Sequence, residues 1–216
     1  MLSSSSTAVF IERVHQLLQA GYATITEKEL KLLNTAEEPE ITGVLADRIQ
    51  TLIDGGSHKG ISRAWSVGDN SPENESHLPL AKQKRGKKRK LPDLKFRFGG
   101  QRQAFYFRFE AKRLANSGAY ADLISHEDGL GRFRRRIYSR DDSSAGLLGY
   151  VQIGTTEEHA AKIEAAFAAE PKKYGITQRW QAVVWKSGPP LSYRTTHSRA
   201  GNPGNITIYV TFLLFR

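Results

Sequence analysis

The chain has 216 residues, enough for one sizeable core, with a formal net charge of +10 and no cysteine. The missing cysteines exclude disulfides and thiolate zinc sites, and no apolar run reaches transmembrane length. The Ser-rich start lacks the basic segment of a signal peptide, so a cytoplasmic protein with no membrane partner is expected.

Helical periodicity dominates the first fifty residues. Thr7 to Ala20 carries Val9, Ile11, Val14, Leu17 and Leu18 at helical spacing and reads as a helix ending before Gly21. Thr26-Glu27-Lys28-Glu29 is a capping-box pattern opening a shorter helix that runs to Leu33. A third helix, Pro39 to Ile53, places Ile41, Val44, Leu45, Ile49, Leu52 and Ile53 on one stripe and stops at Gly55-Gly56. Proline suits the first helical position, which puts Glu40 in the first turn. Such stripes are packing surfaces, so residues 1–56 are expected to form a helical layer on one side of a sheet.

Residues 57–90 read as a loop-rich, basic insertion. Gly60 to Val67 is a possible extended segment, and Gly68 to Ser76 reads as an exposed loop. Lys82 to Lys90 is the most charged run, and its end, Lys87, Lys88, Arg89 and Lys90, is a candidate phosphate-gripping arm; the bland alternative is a solvated loop. Leu80 to Arg140 holds eighteen Lys and Arg against five Asp and Glu. That is the footprint expected of nucleic-acid backbone binding, with strong salt dependence.

Immediately after the basic run comes Leu91-Pro92-Asp93, and seventeen residues beyond the aspartate Glu110-Ala111-Lys112. Residues 103–112 alternate, with Phe105, Phe107, Phe109 and Ala111 at one parity and Tyr106, Arg108, Glu110 and Lys112 at the other, the pattern of a half-buried strand. Residues 91–98 alternate similarly, and Gly99-Gly100-Gln101-Arg102 is a turn signal, so a hairpin is expected. With a four-residue loop, Phe98 pairs with Gln103, Asp93 falls opposite Arg108, and Glu110 is its diagonal neighbour on the same face. A loop one residue longer or shorter sends the two carboxylates to opposite faces.

Two carboxylates converging on one face can share a hard cation such as Mg²⁺, which activates water and stabilises charge on a phosphate. Lys112 points to the same side, where its ammonium can orient the attacking water or neutralise the phosphate. The competing structural reading is a strand face that merely alternates in charge.

Beyond the hairpin a helical stretch is expected, then a strand from Gly149 to Gly154 and a helix from Thr156 to Ala169. Arg132, Arg134, Arg135 and Arg136, with Phe133 among them, form a second cluster suited to gripping a backbone or stacking on a base, or else a solvated helix face. Trp180 to Trp185 reads as a buried strand. Ile206 to Phe215 reads as another, paired with Tyr193 to Arg199. His197 is a possible phosphate contact, although a lone His is more often structural. No internal repeat, P-loop, nucleotide-binding glycine fingerprint or His-rich motif competes.

Pro92-Asp93 and Glu110-Ala111-Lys112 resemble the two motifs of the PD-(D/E)xK phosphodiesterase superfamily, most closely between Leu91 and Thr155. The resemblance implies a restriction-endonuclease-like α/β fold: one domain over 1–216 with a central mixed sheet flanked by helices, a catalytic core at 91–155, and a helix and strands at 156–216. It implies catalysis with Mg²⁺, with Mn²⁺ as a substitute, and DNA as partner. Many members add an acidic residue from a helix before the hairpin. Glu40 is the first choice as a third ligand and Glu37 the second; an acidic residue there also suits the helix dipole.

The expected activity is therefore a Mg²⁺-dependent DNA endonuclease, of restriction or antiphage-defence type by analogy of fold. The alternatives are a structure-specific nuclease or junction resolvase, and a non-catalytic DNA-binding subunit with a nuclease-like fold. A homodimer suits cutting of both strands. A partner ATPase or recognition subunit stays open.

Overall fold

A computed structural model describes residues 4–56, 65–69, 93–99, 105–138, 142–199 and 204–216. The elements in chain order are α1 (Ser4–Ala23), α2 (Glu27–Leu33), α3 (Glu38–Asp54), β1 (Trp65–Asp69), β2 (Leu94–Phe98), β3 (Phe105–Leu114), α4 (Tyr120–Leu123), α5 (Gly129–Arg134), β4 (Ser144–Val151), α6 (Thr156–Ala169), α7 (Pro171–Tyr174), β5 (Ile176–Ala182), β6 (Ser192–Ser198) and β7 (Asn205–Leu214). The strands form one seven-stranded sheet in the order β1-β2-β3-β4-β7-β6-β5. The β3–β4 and β4–β7 pairs are parallel and the other pairs antiparallel.

Alternation along the central strands sends side chains into two cores. Phe107, Phe109 and Ala111 of β3, Leu148 and Tyr150 of β4, and Leu213 of β7 pack with the apolar stripes of α1 and α3. Leu114, Ala145, Leu147, Val151 and the even-numbered residues Ile206 to Phe212 pack with α4, α5 and α6. β4 is therefore covered on both faces and buried over nearly its whole length. A doubly covered strand reads as a continuous apolar run. The strand accordingly begins at Ser144, five residues before the expected start at Gly149, and Gln152 to Gly154 lies beyond its end.

Two helices begin or end differently from the sequence expectation. Gly21 does not stop α1, which continues to Ala23. A Cβ at Gly21 would run into the Ile49 side chain, so this glycine lets α1 pack closely on α3 there. α3 starts at Glu38, with Glu37 as N-cap and a capping box to Glu40. Pro39 is thus the second helical residue.

β5 also differs. It spans Ile176–Ala182, an edge strand with mostly exposed side chains, in place of a buried strand from Trp180 to Trp185. The two tryptophans belong to different cores: Trp180 stacks on Tyr193 at 4.6 Å and Trp185 on His15 at 4.1 Å. The helix at 156–169 and the pairing of β6 with β7 match the expectation.

Candidate active site

The β2–β3 register is Leu94↔Phe109 through Phe98↔Phe105, two residues away from the pairing expected with a four-residue loop. A displacement of two conserves the side-chain face, whereas one would have reversed it. Asp93, one position before β2, falls across from Glu110 instead of diagonal to it, and its Oδ2 accepts a hydrogen bond of 2.7 Å from the Ala111 amide. Asp93 and Glu110 are therefore brought closer along the ladder than expected.

Glu110 is fully buried. Its Oε1 receives Arg132 Nη1 at 2.6 Å and Lys112 Nζ at 3.1 Å. Its Oε2 is buried with no hydrogen-bond partner among the described residues. A buried carboxylate is tolerated only when charge and hydrogen bonds compensate it. The Glu110 carboxylate meets this condition on one oxygen alone.

Lys112 bridges to a second acid, Glu38, with Nζ 3.3 Å from its Oε1. Glu38 was not singled out in the sequence. It reaches the cluster because the start of α3 is held against the ends of β3 and β4. Thr42 Oγ1 donates to the Glu38 carbonyl at 2.9 Å and lies 2.9 Å from the buried Tyr150 hydroxyl. Gln152 Nε2 donates to the carbonyls of Leu33 and Ala36, at 2.8 and 3.0 Å, and Arg113 pairs with Glu37 at 2.9 Å.

The structure brings neither expected helix acid to the cluster. Glu40 accepts from the Glu37 amide at 3.0 Å, closing the capping box on the exposed side, and Glu37 is occupied with Arg113. The misplacement is one residue: reading Pro39 as the first helical position makes Glu38 a flanking residue. The Glu37/Glu40 spacing is that of a capping box, but with Glu where the pattern calls for Ser or Thr it gives only a weak signal for a start at Glu38.

Burial and charge crowding together shift the titrating groups. Burial, with Glu110 and Glu38 nearby, pushes the Asp93 carboxyl up to about 8 against the opposing Ala111 amide and Lys112. Burial also raises Glu38, partly offset by Lys112. Burial works to lower Lys112, but Glu110, Glu38 and Asp93 outweigh it and hold the ammonium above the usual lysine value. Lys112 is therefore a cation here, suited to donating hydrogen bonds and neutralising phosphate rather than to abstracting a proton.

Asp93 and Glu110 are the residues that could hold a hard divalent cation, since both offer carboxylate oxygen and one Glu110 oxygen is buried without a partner among the described residues. Among the described residues no three His, Asp or Glu side chains are gathered as a complete ligand set. The donor chemistry fits Mg²⁺ or Mn²⁺, and a cation would relieve the carboxylate repulsion that adds to burial in raising Asp93.

The expected nucleic-acid contacts fare differently. Lys87, Lys88, Arg89 and Lys90 lie outside the described residues. The arginines at 132–136 do not form a common grip. Arg132 turns inward to Glu110, Asp128 and the Tyr138 hydroxyl. Arg134 donates to the carbonyls of Lys173 and Ser198 at 2.7 and 3.3 Å, and Arg135 pairs with Glu127 at 3.2 Å. Arg136 is half-buried with a left-handed φ of 59°. His197 is buried on β6, with β4 and β7 between it and β3; its Nδ1 meets the Tyr174 carbonyl at 2.8 Å and burial lowers it to about 4. It has no part in the cluster.

The protein is of mixed α/β class, with a seven-stranded mixed sheet flanked by helices and a fully buried Glu110 beside Asp93 on the β2–β3 pair. No helix among the described residues is long and apolar enough to cross a membrane. Comparison with protein-family models, with curated proteins and with solved structures found no match.

Proposed function

We propose that this chain is a Mg²⁺-dependent phosphodiesterase of the restriction-endonuclease-like class, acting on DNA as an endonuclease of restriction or antiphage-defence type. The observation that carries the reading is Glu110: a fully buried carboxylate with one oxygen unpartnered, set across the ladder from Asp93 and one strand step from Lys112. A protein stabilised by burial alone gains nothing from this arrangement, because well-packed apolar residues of the same volume are as good or better. Local rules are broken where function requires it.

In this reading Asp93 and Glu110 would hold the cation, and Glu38, which shares Lys112 with Glu110, could supply a further oxygen. When bound, Mg²⁺ supplies a Lewis acid that activates water and stabilises negative charge on the phosphate. Lys112 presents an ammonium beside Glu110, where it orients the nucleophilic water or a phosphate oxygen through its N–H donors. The Ala111 amide fixes one Asp93 oxygen, leaving the other for ligation. Surrounding side chains exclude bulk solvent from Glu110, which strengthens each of these interactions.

A second reading has one observation in its favour. Glu110 Oε1 already has two cationic partners, so the cluster also resembles a closed ion-pair network in a non-catalytic DNA-binding protein. The two are separated by incubating the protein with labelled duplex, single-stranded and branched DNA, in Mg²⁺ and in EDTA. Cleavage that needs Mg²⁺ supports the enzyme and identifies its substrate geometry. Binding without cleavage in either condition supports the adaptor.

A further inference from the structure

We propose that Arg132 is a positioning residue for the carboxylate cluster: it occupies Glu110 Oε1 so that Oε2 is the oxygen offered to a divalent cation. The inference rests on the metal-site reading above and concerns a residue whose sequence pattern pointed instead to DNA backbone.

Three contacts hold the Arg132 guanidinium. Nη1 donates to Glu110 Oε1 at 2.6 Å and to the Tyr138 hydroxyl at 2.7 Å, while Nη2 pairs with Asp128 one helical turn back. The guanidinium carbon also lies 5.5 Å from the Tyr138 ring centroid. A planar fork already fixed by Asp128 and Tyr138 loses little freedom in holding Glu110 as its third partner, which an ammonium on a flexible stem cannot match.

Lys112 does not duplicate this role. Its ammonium is divided between Glu110 at 3.1 Å and Glu38 at 3.3 Å, and it stems from the same strand as Glu110. In the proposed reaction it is the cation that must turn to phosphate or water. Arg132 then remains as the group holding Glu110 in place. The two oxygens of Glu110 consequently differ: one is held by the fixed Arg132 guanidinium, the other is buried and bare.

The backbone around α5 is shaped to deliver this side chain. A Cβ at Gly131 would collide with the His126 carbonyl, and a Cβ at Gly129, whose φ is +43°, would collide with the Leu123 carbonyl. The helix therefore presses directly onto the segment before it, as close as glycine allows. Phe133, fully buried beside Arg132, fixes the rotation of α5. Partners of metal-ligating side chains commonly change metal affinity by about 10- to 100-fold when removed, by orienting the ligand.

The test is Mn²⁺ binding, read by titration calorimetry and by paramagnetic resonance of the free ion, on wild type, Arg132→Gln, Arg132→Lys, Glu110→Gln and the Arg132→Gln/Glu110→Gln double variant. Thermal unfolding without metal is measured for each. Glu110→Gln is expected to weaken Mn²⁺ binding strongly, and Arg132→Gln by about tenfold. The double variant should be no weaker than Glu110→Gln alone, because Arg132 acts through that carboxylate. Arg132→Lys should recover part of the loss and covers the case in which Arg132→Gln does not fold. Wild-type affinity in Arg132→Lys and Arg132→Gln would overturn the inference while leaving the metal site standing, as would tighter binding, which would make Arg132 a competitor of the cation. An equal further loss in the Glu110→Gln background would also overturn it. Absence of Mn²⁺ binding by wild type, or wild-type binding by Glu110→Gln, would remove the metal-site reading itself.

Discussion

Asp93 shows how one residue can tie stability to chemistry. Burial and the neighbouring carboxylates raise it to about 8 from an ordinary 3.8. The folded protein keeps this proton where the unfolded chain has released it. Stability tied to Asp93 therefore falls as pH rises from about 4 to about 8, by at most about 1.4 kcal/mol per pH unit. Asp93→Asn should remove that slope while still accepting from the Ala111 amide. In urea unfolding without divalent ions, the variant should gain on wild type steadily from pH 5 to about pH 8; parallel curves would contradict the upward shift that burial and crowding give Asp93. His15 and His197, each lowered to about 4 by burial, act in the opposite sense: the unfolded chain takes up protons first, so stability is lost as pH falls below about 6.5. They are common to both proteins and cancel in the difference.

Also at this scale, Glu38 and Glu40 should separate cleanly. Glu38→Gln removes a charge that pairs with Lys112 and raises Asp93. It should raise the Mg²⁺ concentration needed for half-maximal cleavage with little change in melting temperature. Glu40→Gln weakens only the bond to the Glu37 amide. Its expected cost is about 0.5–1 kcal/mol of stability, with Mg²⁺ dependence unchanged. A shift in Mg²⁺ dependence for Glu40→Gln and none for Glu38→Gln would reverse the assignment.

Among the elements, local chemistry was readable where one signal sufficed. Thr26 and Glu29 announced α2, and both halves of that capping box are formed. The alternating phenylalanines announced β3 and its polar face. Boundaries set by tertiary contact were not readable: Gly21 resembles a helix stop, yet its small size serves the contact with Ile49. Gly21→Val should crowd that contact and destabilise the protein by about 1–3 kcal/mol, seen as a lower urea midpoint, while Mn²⁺ affinity stays at the wild-type value. Unaltered stability would mean that α1 and α3 have room to part. The hairpin register differed by two residues because its intervening segment is longer than the glycine signal suggested. The face survived, and with it the pairing of Asp93 and Glu110. Arg132 was legible as a basic residue but not as an inward-facing one, since its role depends on α5 folding back over β3.

For the whole molecule, sequence carried the class and the concentration of positive charge, whereas the strand order, with β7 between β4 and β6, depends on long-range pairing that no local pattern encodes. The +10 net charge makes salt dependence a test of partner chemistry. Neutralising Lys87, Lys88, Arg89 and Lys90 together should weaken DNA binding across many sequences and reduce the slope of log affinity against log salt by up to about 3–4. An unchanged slope would leave the run without a role in binding. The most direct test of the central claim compares wild type with Glu110→Gln, equally folded by circular dichroism, in single-turnover cleavage of the same DNA at saturating Mg²⁺. Wild type should cleave in a Mg²⁺-dependent manner that EDTA abolishes, and the variant should lose at least about 100-fold, comparable to removal of a group that stabilises the transition state. Equal rates in the two proteins, or cleavage indifferent to EDTA, would contradict that claim.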